Sequence, residues 1–92
     1  MSLKFEWNVA KAAENRQRHG VSFGEALTVF MDPLARVFDD PDHSSEESRE
    51  IIIGHSAKNR LLVVSFTERA NLRIISARRA SRRERERYEE SL

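Results

Sequence analysis

The stretch REIIIGHSAKNRLLVVSFTERANLRIISARR, running from Arg49 to Arg79, leaves this chain few folds to choose from. It holds runs rich in Ile, Val and Leu, the residue types that fit a pleated, half-buried surface. Polar breaks fall around Ala57 to Asn59 and around Arg69 to Asn71. Apolar runs of strand length with turn residues between them predict three strands folded back on one another as an antiparallel meander.

The flanks decide what that meander packs against. LKFEW near the N-terminus alternates Leu3, Phe5 and Trp7 with Lys4 and Glu6, the period of a half-buried, short edge strand. Asn8 can cap a helix running to about His19, with Gly20 where a left-handed C-terminal cap favours glycine. Val9, Ala12 and Ala13 are expected on its inner face, and Lys11, Asn15 and Arg18 on its outer one. Ser22 and Glu25 fit a capping box for a second helix, in which Phe23, Ala26, Leu27, Phe30 and Met31 follow the helical repeat as its core face. LARVF after Pro33 reads as a further strand, and DDPDHSSEES as an acidic, turn-rich loop. Ser81 and Glu84 offer another capping box, opening a last helix through Tyr88. The order β-α-α-β-β-β-β-α predicts an α+β fold, a mainly antiparallel sheet with two N-terminal helices and one C-terminal helix. The N-terminal helices are expected on one sheet face.

Composition narrows the function classes. At 92 residues the chain is expected to be a single domain, 1–92, with one modest core. Charged residues make up 34% of it, yet the formal net charge is only +1, so a basic surface requires local segregation. The absence of cysteine excludes a disulfide framework, a thiolate metal site and a cysteine nucleophile. No signal-peptide core stands at the N-terminus and no apolar run approaches membrane-spanning length, which leads us to expect a soluble, cytoplasmic protein with no membrane partner. There is no glycine-rich phosphate loop, nucleophile elbow or paired-acid motif.

The needed segregation occurs in ISARRASRRERERYEE, Ile75 to Glu90. A helix beginning at Ser81 places Arg78, Arg79, Arg82 and Arg83 at its positive end and Glu89 and Glu90 at its negative end, against the macrodipole. The arginines also precede their glutamates (Arg82 to Glu86, Arg85 to Glu89), the weaker order for such pairs. A solvated, mixed-charge surface helix is the plain interpretation, but helix stability alone does not account for the pattern. Free N–H groups at a helix start attract anions, and forked guanidinium donors match phosphate oxygens, so the stretch reads as a phosphate site.

His19 can serve as a proton carrier near neutral pH or as a favourable charge at a helix's negative end. Asp39, Asp40, Asp42 and His43 have the composition of metal ligands but lack calcium-loop or zinc spacing, and read as a solvated loop. His55 reads as a turn residue. Tyr88 is expected against the sheet edge, with nucleotide stacking as its functional alternative.

Four segments, KFEWNVAKAAENRQRHGVSFGEALTVFMDPLA, DDPDHSSEESREIIIGHS, RLLVVSFTER and RIISARRASRRERERYEE, closely resemble the BrnT family of toxins from bacterial type II toxin–antitoxin pairs. The resemblance spans nearly the whole chain, and its most specific pieces are RHGVSFGEA and the arginine-rich ending. It implies a RelE-like fold and RNA cleavage that slows translation. It also implies restraint by a BrnA-like ribbon-helix-helix antitoxin, through which the pair would bind operator DNA.

Metal-independent RNA cleavage needs help in deprotonating the 2′-hydroxyl, cations for the phosphorane and a proton donor for the leaving 5′-oxygen. Arg78 is the candidate for phosphorane stabilisation and His19 for proton transfer, with Glu68 as a second candidate base. Arg79, Arg82 and Arg83 are candidates for neighbouring phosphates, Lys11 for a backbone contact, and Arg60 and Arg69 for widening the basic surface. No cofactor and no metal are expected; the substrate is RNA, in free or ribosome-associated form. Two alternatives stand beside the enzyme: a non-catalytic RNA-binding module, and a protein-interaction partner whose surface is an antitoxin dock.

Overall fold

The computed structural model describes residues 4–40 and 48–92. Its elements are β1 (Phe5–Glu6), α1 (Val9–His19), α2 (Phe23–Val29), β2 (Arg36–Asp39), β3 (Glu50–His55), β4 (Leu61–Glu68), β5 (Leu72–Arg79) and α3 (Arg82–Glu90). This is the order, and the α+β class, that the sequence predicts. The strands form one five-stranded sheet in the order β1-β5-β4-β3-β2, antiparallel except where β1 lies parallel to β5. Leu3, at the start of the expected first strand, lies outside the described residues, as do Asp42 and His43.

Because side chains alternate across a strand, the apolar runs of β3 and β4 feed both faces of the sheet. One face carries Ile52, Leu62, Val64, Phe66, Leu72, Ile74 and Ala77, covered by Val21 and by Phe23, Ala26 and Val29 of α2. The opposite face carries Ile51, Ile53, Leu61 and Val63, covered by Tyr88 of α3. Tyr88 is thus buried on the sheet's second face, not against its edge.

The inner and outer sides of α1 differ from those expected. Val9 is 79% exposed and Ala13 is exposed, while Asn15, expected outside, is 7% exposed. Asn15 turns inward because β5 has an open edge beyond the two-residue β1. Its amide donates to the Ala77 carbonyl at 2.8 Å and to the Val21 carbonyl at 3.0 Å, and accepts from the Ala77 N–H at 3.1 Å. The side chain thereby supplies the backbone partner that a neighbouring strand would have given.

Glu25 also departs from expectation. Ser22 caps α2 by accepting from the Glu25 N–H, but the Glu25 side chain does not return to complete a box. It turns inward to Arg60, which donates from Nε at 2.9 Å and from Nη2, and to the Ser56 hydroxyl at 2.7 Å. Arg60 also reaches the Gly20 carbonyl, so one ion pair ties α2, the α1 C-cap and the β3–β4 turn together. Met31, expected in the core, is 71% exposed, since α2 ends at Val29 and the chain turns away. Gly54 admits the chain after α2 closely: a Cβ there would lie 2.8 Å from Ala35 Cβ and 3.0 Å from an Asp32 carboxylate oxygen.

Candidate nucleic-acid interface

Tyr88 is the one uncharged residue of α3, so its burial chooses the side of the helix that meets the sheet. Glu84, one turn earlier, is carried to that side. There it meets Arg78, which projects from β5 opposite Val63 on β4. The guanidinium donates to both carboxylate oxygens at 2.6 Å each. Glu84 also accepts from the Ser81 N–H at 2.8 Å, and its own N–H donates to the Ser81 hydroxyl at 3.2 Å. The capping box is complete, and the anion at this helix start is the chain's own carboxylate. Hydrogen bonds from Arg78 hold the Glu84 carboxyl down at about 2, against burial, which pushes it up. Arg78 is raised in turn, chiefly by Glu84.

Beside this pair α3 leaves a cleft of ≈ 330 Å³ over the second sheet face. Ile51, Val63, Ser65 and Ser76 form its floor, and Arg49, Arg78 and Arg87 contribute cations from three separate stretches of chain. Asp40 and Glu84 contribute the acids. Arg87 lies 4.0 Å over the Phe38 ring, a cation–π contact that fixes its aliphatic stem across β2.

A second groove of ≈ 180 Å³ lies between α1 and the free edge of β5. Lys11, Glu14, Asn15, Arg18 and His19 line it from the helix, and Ile75 and Ser76 from the strand. The β4–β5 register slips by one residue between Ser65 and Phe66, where Ser65 pairs with Ser76 but Phe66 with Ile74. This bulge leaves Ile75 unpaired in the ladder, and Ser76 lines both the groove and the cleft.

The structure places Arg78 in the cleft but His19 and Lys11 in the separate groove, and the two share only Ser76. Arg79, Arg82 and Arg83 are exposed around the start of α3, Arg82 only 3.6 Å from Glu86 in an exposed pair. Arg60 lies at the same end of the sheet but is committed to Glu25, whose carboxyl it holds below its usual range. Glu68 and Arg69 are elsewhere. Glu68 is opposite Leu72, five residues along β4 from the partner of Arg78, about 17 Å at strand rise. Asp39 is exposed, whereas Asp40 is buried at the cleft.

Arg49, Arg87, Ser65 and Ser76 were not singled out from sequence. Arg87 had a signal: Tyr88, the helix's lone anchor, marks the inward side, and its neighbour one position back lies along the rim of that side. The serines had a weaker one, as polar residues inside otherwise apolar strands. Arg49 had none, because its place depends on the β2–β3 pairing.

No curated protein matches the chain. Among solved structures, the 1.1 Å crystal structure of the Brucella abortus ribonuclease toxin BrnT matches with a TM-score of 0.67 and 25% sequence identity, covering 88% of this chain and 100% of that one. The family model described as "Ribonuclease toxin, BrnT, of type II toxin-antitoxin system" matches residues 7–84. That match takes in every element from α1 to the opening of α3, and the chain belongs to the BrnT family of ribonuclease toxins.

Proposed function

We propose that this chain is the toxin of a type II pair, that it cuts RNA by attack of the neighbouring 2′-hydroxyl without a metal ion, and that the cut slows translation. The observation that carries this reading is the convergence of Arg49, Arg78 and Arg87 on one open cleft. Cations gathered from distant parts of a chain around one cleft suit a pentacoordinate phosphorane, whose extra charge needs fixed donors.

In this reading Arg78 meets the scissile phosphate, exchanging one oxyanion, the Glu84 carboxylate, for another. Arg49 and Arg87 hold the adjoining oxygens, and Arg79, Arg82 and Arg83 attract flanking phosphates. His19 carries the proton from beyond Ser76. Glu68 and Arg69, at the far end of the β4–β5 hairpin, and Arg60, held by Glu25, take no part. The restraining partner is a BrnA-like ribbon-helix-helix antitoxin, and the complex of the two, not the toxin alone, binds operator DNA.

Purified protein incubated with RNA in excess EDTA tests the chemistry. Cleavage leaving 2′,3′-cyclic phosphate ends is expected, together with arrest of a cell-free translation extract. RNA that is bound but left intact, including RNA on translating ribosomes, would replace the enzyme with a binding module. Co-purification with the product of the adjacent gene, followed by footprinting on the upstream DNA, tests the partner.

A further inference from the structure

We propose that the groove between α1 and β5 is a second phosphate-binding subsite, which takes the backbone of single-stranded RNA after it has crossed the free edge of β5 from the arginine cleft. The proposal rests on the ribonuclease reading and adds the path of the substrate.

The path begins with Asn15. Because its amide is fixed to both backbone groups of Ala77, that side of α1 faces β5. Residues three and four positions away share the side, which places Lys11 on one flank of Asn15 and Arg18 with His19 on the other. Lys11 and Arg18 are exposed, stand about 10 Å apart along the helix axis, and have no ion-pair partner among the described residues. Glu14 also lines the groove and opposes phosphate there, so the subsite depends on Lys11 and Arg18 acting together.

Continuity comes from β5. Ser76 lines both the groove and the cleft, and the bulge at Ile75 turns the strand between them. With β1 limited to Phe5 and Glu6, no strand among the described residues pairs with β5 beyond Arg73, and the Asn15 side chain bonds to that edge at Ala77. A ligand leaving the cleft over Ser76 must bend around a single strand to reach Lys11 and Arg18. A duplex is stiff over many helical turns and cannot make that bend, whereas a single strand can. The surface therefore selects single-stranded RNA by its flexibility.

Binding of uncleavable 2′-O-methyl oligouridylates by anisotropy tests the path, using a short probe of about four nucleotides and a long one of about twelve, and a long duplex for comparison. Wild-type protein is expected to prefer the long single strand over both other probes. In K11A/R18A the ratio of long to short affinity should fall about tenfold, and the salt slope for the long probe should drop by roughly 1.4, the loss of two phosphate contacts. Arg16→Ala removes a charge from the same helix outside the groove and should leave the ratio intact. An unchanged ratio in K11A/R18A, or duplex binding equal to single-strand binding, overturns the subsite. Cleavage of long RNA by the same preparations separates the two readings. If wild type cuts RNA but the ratio does not change, only the subsite fails; if wild type neither binds nor cuts RNA, both fail.

Discussion

Arg78 and Glu84 face each other across the β5–α3 junction through two parallel hydrogen bonds of 2.6 Å. One carboxylate thus caps the helix, neutralises the helix start and occupies the guanidinium that the proposed chemistry needs. In the proposed reaction the phosphorane displaces it as charge builds in the transition state, which makes this pair both a structural clasp and part of the barrier to cleavage.

The clasp has a pH signature. With its carboxyl held at about 2 against an ordinary 4.5, Glu84 contributes stability that is fully present above pH 4.5 and is lost as pH falls toward 2. Glutamine at this position can still complete the capping box, so Glu84→Gln isolates the charge. Arg78 is partly exposed and screened, so we expect a loss of about 1 kcal/mol at pH 7 in urea unfolding, with the gap to wild type closing as pH falls from 4.5 to 2. A gap that stays constant across that range would refute the assignment.

Kinetics should separate the arginines. Arg78→Ala is expected to lower the single-turnover cleavage rate by about 10²–10³, with a much smaller loss of RNA affinity, since it stabilises charge that exists only in the transition state. Arg83→Ala, on the exposed outer side of α3, should weaken binding by a few-fold at most and leave the rate at saturating RNA alone. Equal losses of rate and affinity in both variants would mean that neither acts on the reacting phosphate.

Arg60 should behave as a structural residue. Glu25 is buried, with its side chain 3% exposed, so Arg60→Ala strands a carboxylate in the core and should lower the midpoint of chemical denaturation clearly. Pairing it with Glu25→Ala should cost much less than the sum of the single changes. Strict additivity would show that the pair is not coupled.

Asn15→Ala removes three buried hydrogen bonds and leaves both backbone groups of Ala77 unsatisfied, at about 2–3 kcal/mol. Hydrogen exchange gives the local check: the Ala77 amide, protected in the wild type, should exchange much faster in the variant. Continued protection would place its acceptor elsewhere.

What local rules govern, the sequence by itself determined. Periodicity and turn residues in Glu50–Arg79 specified the meander, Asn8 and Gly20 bounded α1, and Ser81 with Glu84 opened α3, because each signal acts within a few residues of where it stands. The arginine-rich ending set its cations at the end of β5 and the start of α3 for the same reason. What depends on contacts between distant segments, only the tertiary structure decided. Asn15 looks like a solvated helix residue until the open edge of β5, sixty-two positions on, gives its amide two backbone partners. Arg60 looks like surface charge until Glu25 turns inward to meet it. Tyr88 orients α3 only against a sheet face that exists once β3 and β4 have paired, and Arg49 reaches the cleft only through the pairing of β2 with β3. A guanidinium or amide can be satisfied by water or by a carboxylate, and local sequence does not say which is nearby; packing does.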